Sequence, residues 1–137
     1  MNRALDCGAE YIMFCDQDDV WKNDKIEKTL AKMQSMEQTY PHRPILIHSD
    51  LSVVDRELHL LHKSYWIYQH IDPSKDAINR MIFHNTVTGC TMMINRKLAQ
   101  KAKVIPDEAI MHDWWIVMVA SVFGHIGYID EPLIFYR

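Results

Sequence analysis

Only three cysteines occur in the chain, basic residues give no excess, and no apolar run is long enough to cross a bilayer. Cys7, Cys15 and Cys90 are odd in number and show no C-x-x-C spacing, which argues against a disulfide framework and a zinc knuckle. A reducing cytoplasm is the compartment this implies. The opening MNRALDCGAE has no apolar signal core, and Trp114 to Phe123, the longest apolar run, falls short of the roughly 20 residues that a spanning helix needs. The expectation is a cytoplasmic protein that meets the inner face of a membrane only indirectly. Lys and Arg number 15 against 18 Asp and Glu, for a formal charge of −3, so nothing draws the chain to nucleic acid.

What the chain does have is apolar content, 48% of its 137 residues, enough for one globular domain but too little length to assume two. With no repeat, low-complexity segment or linker, residues 1–137 are expected to form a single domain. Met1 to Cys7 reads as the tail of a helix stopped by Gly8, and Tyr11 to Cys15 (YIMFC) as a short buried strand. A helix follows from about Asp24 to Met36, with Ile26, Leu30 and Met33 on one stripe, closed by Pro41 and Pro44. Ile45 to His48 is a second strand. Asp55 to Asp72 has no clean period and reads as a long, partly helical excursion, with a further helix over Pro73 to Phe83. Gly89 breaks into strand-like Thr91 to Ile94, and Arg96 to Lys103 is helical. An apolar helix after Asp113 then ends at Gly124, before two short strands, Ile126 to Ile129 and Leu133 to Tyr136. Strands alternating with helices predict an α/β domain with a mixed sheet flanked by helices.

In open α/β sheets ligands gather at the carboxyl ends of strands, where Asp16, Asp18 and Asp19 fall. Carboxylates on such a turn present hard oxygen ligands to Mg²⁺ or Mn²⁺, which keeps coordination sites open for phosphates and neutralises charge on a diphosphate leaving group. A solvated turn accounts for any one of these aspartates, whereas three within four residues are costly without a counter-ion. Asp113 stands directly before Trp114, Trp115 and the apolar helix, in the position of an N-cap. Alternatively it is a general base, a carboxylate partly desolvated beside two indoles that takes the proton from a sugar hydroxyl. Adjacent tryptophans on a helix point about 100° apart, so one packs and the other is left to offer a flat face to a sugar. His112 is either structural or a hydrogen-bond partner for an acceptor or a phosphate.

These segments, YIMFCDQDDVWKNDKI at Tyr11 to Ile26, HSDLSVVD at His48 to Asp55, HNTVTGCTMMINRKL at His84 to Leu98 and HDWWIVMVASVFGHIGYIDEPLIFYR at His112 to Arg137, together resemble glycosyltransferase family 2, especially its bacterial rhamnosyltransferase-like members. The resemblance covers most of the chain. It implies a GT-A fold and an inverting, metal-dependent transfer of a sugar from a UDP- or dTDP-sugar to a saccharide or lipid-linked acceptor in cell-surface polysaccharide synthesis. Rhamnose is the sugar its flavour suggests. Asp16 and Asp18 match the DxD metal positions, Asp18 as the more direct ligand, with Asp19 beside them on the donor side. Asp113 matches the catalytic base. Thr88, Gly89 and Cys90 match an acceptor-side loop, a stretch that otherwise reads as a tight turn into a strand, and Asn85 and Asp50 belong to the same cleft. Trp21 is taken as packing.

The chain departs from the family pattern at both edges. Nothing before Tyr11 supplies the family's nucleotide-binding strands, and nothing after Arg137 supplies the His that completes its metal shell, so a partial GT-A fold with little activity of its own is expected. Two alternatives stand beside this reading. One is a non-catalytic remnant that acts as a binding or assembly module, forming a homodimer through exposed sheet edges. The other is a haloacid-dehalogenase-like phosphatase with Asp16 as nucleophile and Asp18 as acid, although Asp19 and Val20 replace the residues that usually follow such a pair.

Overall fold

The computed structural model describes residues 1–74, 87–106, 109 and 111–137. Along them run helix α1 (Asn2–Asp6), strands β1 (Tyr11–Met13) and β2 (Val20–Trp21), helix α2 (Lys25–Thr39), strands β3 (Ile45–Val54) and β4 (Leu60–His62), and a one-turn helix α3 (Tyr65–Tyr68). A 3-10 turn at Gly89–Thr91 leads into strand β5 (Met93–Asn95), helices α4 (Arg96–Ala102) and α5 (His112–Phe123), and strand β6 (His125–Tyr136). The sheet order is β1-β5-β3-β6-β2, with β4 added to β3. β3 and β6 are parallel and the other pairings antiparallel, so the domain is mixed α/β with a mixed sheet, as the alternation of elements predicts.

Successive strand residues face opposite sides, and this alternation divides the core. Ile12, Leu46 and Ile94 point to the side covered by α1, α4 and α5, where they meet Leu98, Ala99, Ile116, Val117 and Ala120. Ile45, Ile47 and Met93 point to the other side, covered by α2 through Met33, Leu30 and Met36. A smaller cluster of Leu51, Cys90 and Ile134, with Trp21, Tyr65 and Tyr136 against it, lies toward the carboxyl end of β3. Buried Asn95 ties the layers together: its Oδ1 accepts from the Leu98 N–H, capping α4, and from the Ile45 N–H, while its Nδ2 donates to Glu37 and to the Arg43 carbonyl.

Several elements differ from the sequence expectation. β1 stops at Met13, and Phe14 and Cys15 already belong to the turn. α2 is rotated from its expected stripe: Ile26 is 54% exposed, and the buried positions are Lys25, Thr29 and Met33. The Thr29 hydroxyl donates to the Lys25 carbonyl at 2.6 Å, so a polar residue sits on the buried face without a loose donor. The two expected C-terminal strands are one, β6, whose register against β3 shifts at Asp50 and again before Ser52. Pro132 falls at the first shift, where a missing N–H costs no ladder bond. β2 has only two residues, too few for periodicity to reveal. Residues 55–72 resolve into a tight turn, β4 and α3, and the helix expected over Pro73 to Phe83 lies almost wholly outside the described residues. No helix among the described residues is long and apolar enough to cross a membrane.

His48 lies in the middle of β3, 1% exposed, with Trp66 edge-on and Tyr128 tilted to its ring and no partner for either nitrogen among the described residues. Burial pulls its pKa from 6.5 down to about 4. The neutral imidazole is therefore favoured on folding, and its contribution is complete above pH 6.5 and lost as the pH falls toward 4, about 3 kcal/mol over the window. His48→Leu is expected to flatten the acid limb of the stability curve by about that amount. Urea unfolding at pH 7 and pH 4.5 measures it, and equal losses in both proteins would contradict the assignment.

Candidate functional site

Antiparallel pairing sets the start of β5 beside the end of β1, with Met13 opposite Met93. The turn that leaves β1 and the 3-10 turn that enters β5 consequently meet, although some 70 residues separate them in sequence. Ligand atoms of Asp16, Asp19 and Cys90 all fall within 4.8 Å of one another there. Asp18, which the family resemblance favours as the direct ligand, lies in the turn itself with its side chain exposed, and it is not one of these three.

Asp19 is the inner carboxylate. Burial pushes its pKa up, the Cys90 thiol and the Arg137 backbone N–H pull it back, and the charges of Asp16 and Asp18 raise it again. Both of its oxygens are closed to solvent and neither meets hydrogen-bond geometry with any described residue. An ionised carboxylate in that condition is costly unless a cation compensates it. The Cys90 thiol, 1% exposed, has its pKa raised by burial and then by Asp19. One cation is built in: Lys25, fully buried, holds its Nζ 4.6 Å from the centre of the Trp21 ring and has no hydrogen-bond partner among the described residues. Burial lowers its pKa to about 8, while Cys90, Cys15 and Asp19 act the other way.

The same 3-10 turn reaches Asp113. A Cβ on Gly89 would sit 3.2 Å from both Cβ and Oδ2 of Asp113, tighter than side chains ordinarily pack, so glycine is what allows this carboxylate to lie against the turn. Asp113 is 6% exposed and its Oδ1 accepts from the Trp114 N–H at 2.7 Å. It is the second residue of α5 rather than the expected N-cap, a position taken by Met111, because the helix begins two residues earlier than that cap would set, at His112. The His112 side chain is exposed, with its ring 5.8 Å from that of Phe14 on the opposite turn. Trp115 is the packing indole of the pair, against the α4 and α5 core, with Nε1 buried. Trp114 is half-buried.

Asp50 stands apart. Its buried carboxylate accepts from the Leu51, Tyr65 and Trp66 N–H groups and from the Ser64 hydroxyl, which commits it to anchoring α3. Asn85 lies outside the described residues. Sequence reasoning missed Lys25. Its only signal was the four-residue spacing from Trp21, and helical spacing is not a reliable guide where the first residue belongs to a strand. A scan against protein-family models finds no match for this chain, and a search of curated proteins finds none either.

Proposed function

We propose that the chain carries the metal and acceptor side of a glycosyl-transfer site of GT-A type, moving a sugar from a nucleotide-sugar donor to a hydroxyl of a saccharide or lipid-linked acceptor. The observation that carries this reading is the Gly89–Cys90 turn, which touches Asp113 through Gly89 and the Asp16 and Asp19 carboxylates through Cys90. A candidate base and a candidate cation site thus both lie against one turn.

The residues fit a divalent ion. Asp16 and Asp19 supply hard oxygens, and the oxygens of Asp19, closed to solvent, gain a counter-charge from it. When bound, Mg²⁺ or Mn²⁺ stabilises negative charge on a departing nucleoside diphosphate. Asp113 accepts the proton of the acceptor hydroxyl, held in orientation by the Trp114 N–H. His112 at the exposed edge offers a hydrogen bond to the acceptor, and Trp114 a half-buried aromatic face.

Calorimetry of UDP and of dTDP, each with and without Mn²⁺, tests the reading. Binding is expected only with the metal, and it should weaken at least about tenfold in Asp19→Asn, where an ionised ligand is replaced by a neutral one. Asp55→Asn, in the separate exposed Asp55, Glu57 and His59 cluster, is expected to leave it unchanged. Nucleotide binding indifferent to both Mn²⁺ and Asp19→Asn would end the proposal.

A further inference from the structure

The acidic turn after β1 has a positive charge built in beside it that no ion pair ties down. Lys25, the first residue of α2, is fully buried, and its Nζ has no hydrogen-bond partner among the described residues. The ammonium lies 4.6 Å from the centre of the Trp21 ring and interacts electrostatically with Cys90, Cys15 and Asp19. Pairing of β2 with β6, Trp21 opposite Ile134, fixes the ring under that charge. A buried charge held over an aromatic face is screened little by salt, so its field reaches the neighbouring carboxylates.

We propose that Lys25 selects the form in which a divalent cation enters the carboxylate site: its charge disfavours the free ion and tolerates the complex of that ion with a diphosphate. The inference rests on the glycosyl-transfer reading and adds to it what regulates metal entry. Closed to solvent, the ammonium acts through its charge and not by contact, which makes Lys25 a positioning residue.

Mn²⁺ or Mg²⁺ alone brings two like charges toward the ammonium, and over a few ångströms in partly buried surroundings such repulsion weakens binding by at least about tenfold. A nucleoside diphosphate cancels the charge of one divalent ion, so the complex of the two meets the ammonium without that repulsion. Asp16 and Asp19 supply the same oxygens in either case. Removing the Lys25 charge therefore tightens the free ion and leaves its diphosphate complex nearly as it was.

Calorimetry of Mn²⁺ alone and of the preformed Mn²⁺ complex of UDP tests this on the unsubstituted chain, Lys25→Met and Lys25→Arg. Lys25→Met keeps an unbranched stem and removes a buried charge that lacks an ion pair, so it is expected to fold at least as stably as the parent. Free Mn²⁺ is expected to bind Lys25→Met at least about tenfold more tightly than the unsubstituted chain, with affinity for the UDP complex changed less than about threefold. Lys25→Arg retains the charge and should leave free Mn²⁺ as weakly bound as in the parent, an outcome that a purely steric role for Lys25 does not produce. Lys25→Gln, also neutral, is expected to follow Lys25→Met, so the comparison does not depend on one variant folding. Free Mn²⁺ affinity unchanged in both neutral variants overturns the inference, and so does an equal gain for the free ion and the complex. UDP that binds none of these chains ends the glycosyl-transfer reading, whereas free Mn²⁺ that fails to tighten ends the Lys25 assignment alone.

Discussion

Gly124→Ala is expected to cost about 3 to 5 kcal/mol of folding stability, a large share of the 5 to 15 kcal/mol typical of a domain. The φ of Gly124 is negative, −143°, so a left-handed backbone is not the issue. Space is. A Cβ there would lie 2.2 Å from the Pro44 carbonyl oxygen, 2.8 Å from its carbonyl carbon and 2.9 Å from its Cβ. That oxygen accepts the His125 N–H at 3.0 Å, where β6 first joins β3. Relief therefore requires separating two backbones at the start of the central parallel pair, losing that bond and disturbing the pairs from Ile45 and His125 onward. Gly127→Ala is the control. Its Cβ would come equally close to a neighbour, 2.2 Å from Met36 Sδ, but that neighbour is the far end of a flexible side chain. A cost of about 1 kcal/mol is expected there. Urea unfolding of both variants decides the matter, and similar midpoints would show that the kind of neighbouring atom does not govern the cost.

Asp50→Ala is expected to be comparably damaging, about 3 to 5 kcal/mol, because it strands several buried donors at once. Leu51, Tyr65 and Trp66 lose the acceptor for their N–H groups, and Ser64 loses it for its hydroxyl. α3 has one turn and no length from which to draw stability of its own, so it should detach. Trp66, 6% exposed and packed edge-on to His48 and Tyr128, would then meet water. A red shift of tryptophan emission together with a lowered urea midpoint is the expected pair of signals. Asp50→Asn keeps one acceptor oxygen and should lose less. If the alanine variant matched the parent in both measurements, the carboxylate would not be what holds the helix.

Sequence patterns reported the long apolar helix well, because α5 carries an uninterrupted run bounded by Gly124. They also located the acidic turn, since a buried strand followed by clustered carboxylates is a local feature. They misjudged α2, where Ile26 looked like core. Ile26 is instead exposed because the face of a helix is chosen by what the sheet offers it, and here buried Lys25, with its ammonium over the Trp21 ring, takes the inner position. They broke β6 at Pro132, where the fold instead keeps one strand and absorbs the proline in a register shift.

Residue order by itself determined the α/β class, the positions of the main elements and the placement of Asp16, Asp18, Asp19 and Asp113 at element ends. All of these follow from interactions among neighbours in the chain. Only the tertiary structure decided that Cys90 and Asp19, rather than Asp18, gather with Asp16, that Gly89 makes room for Asp113, and that Asp50 serves α3. The first two depend on β5 inserting antiparallel between β1 and β3, a pairing between strands distant in sequence that is settled by burial of the whole sheet and leaves no local trace, and the third on the return of the chain along β4 to α3.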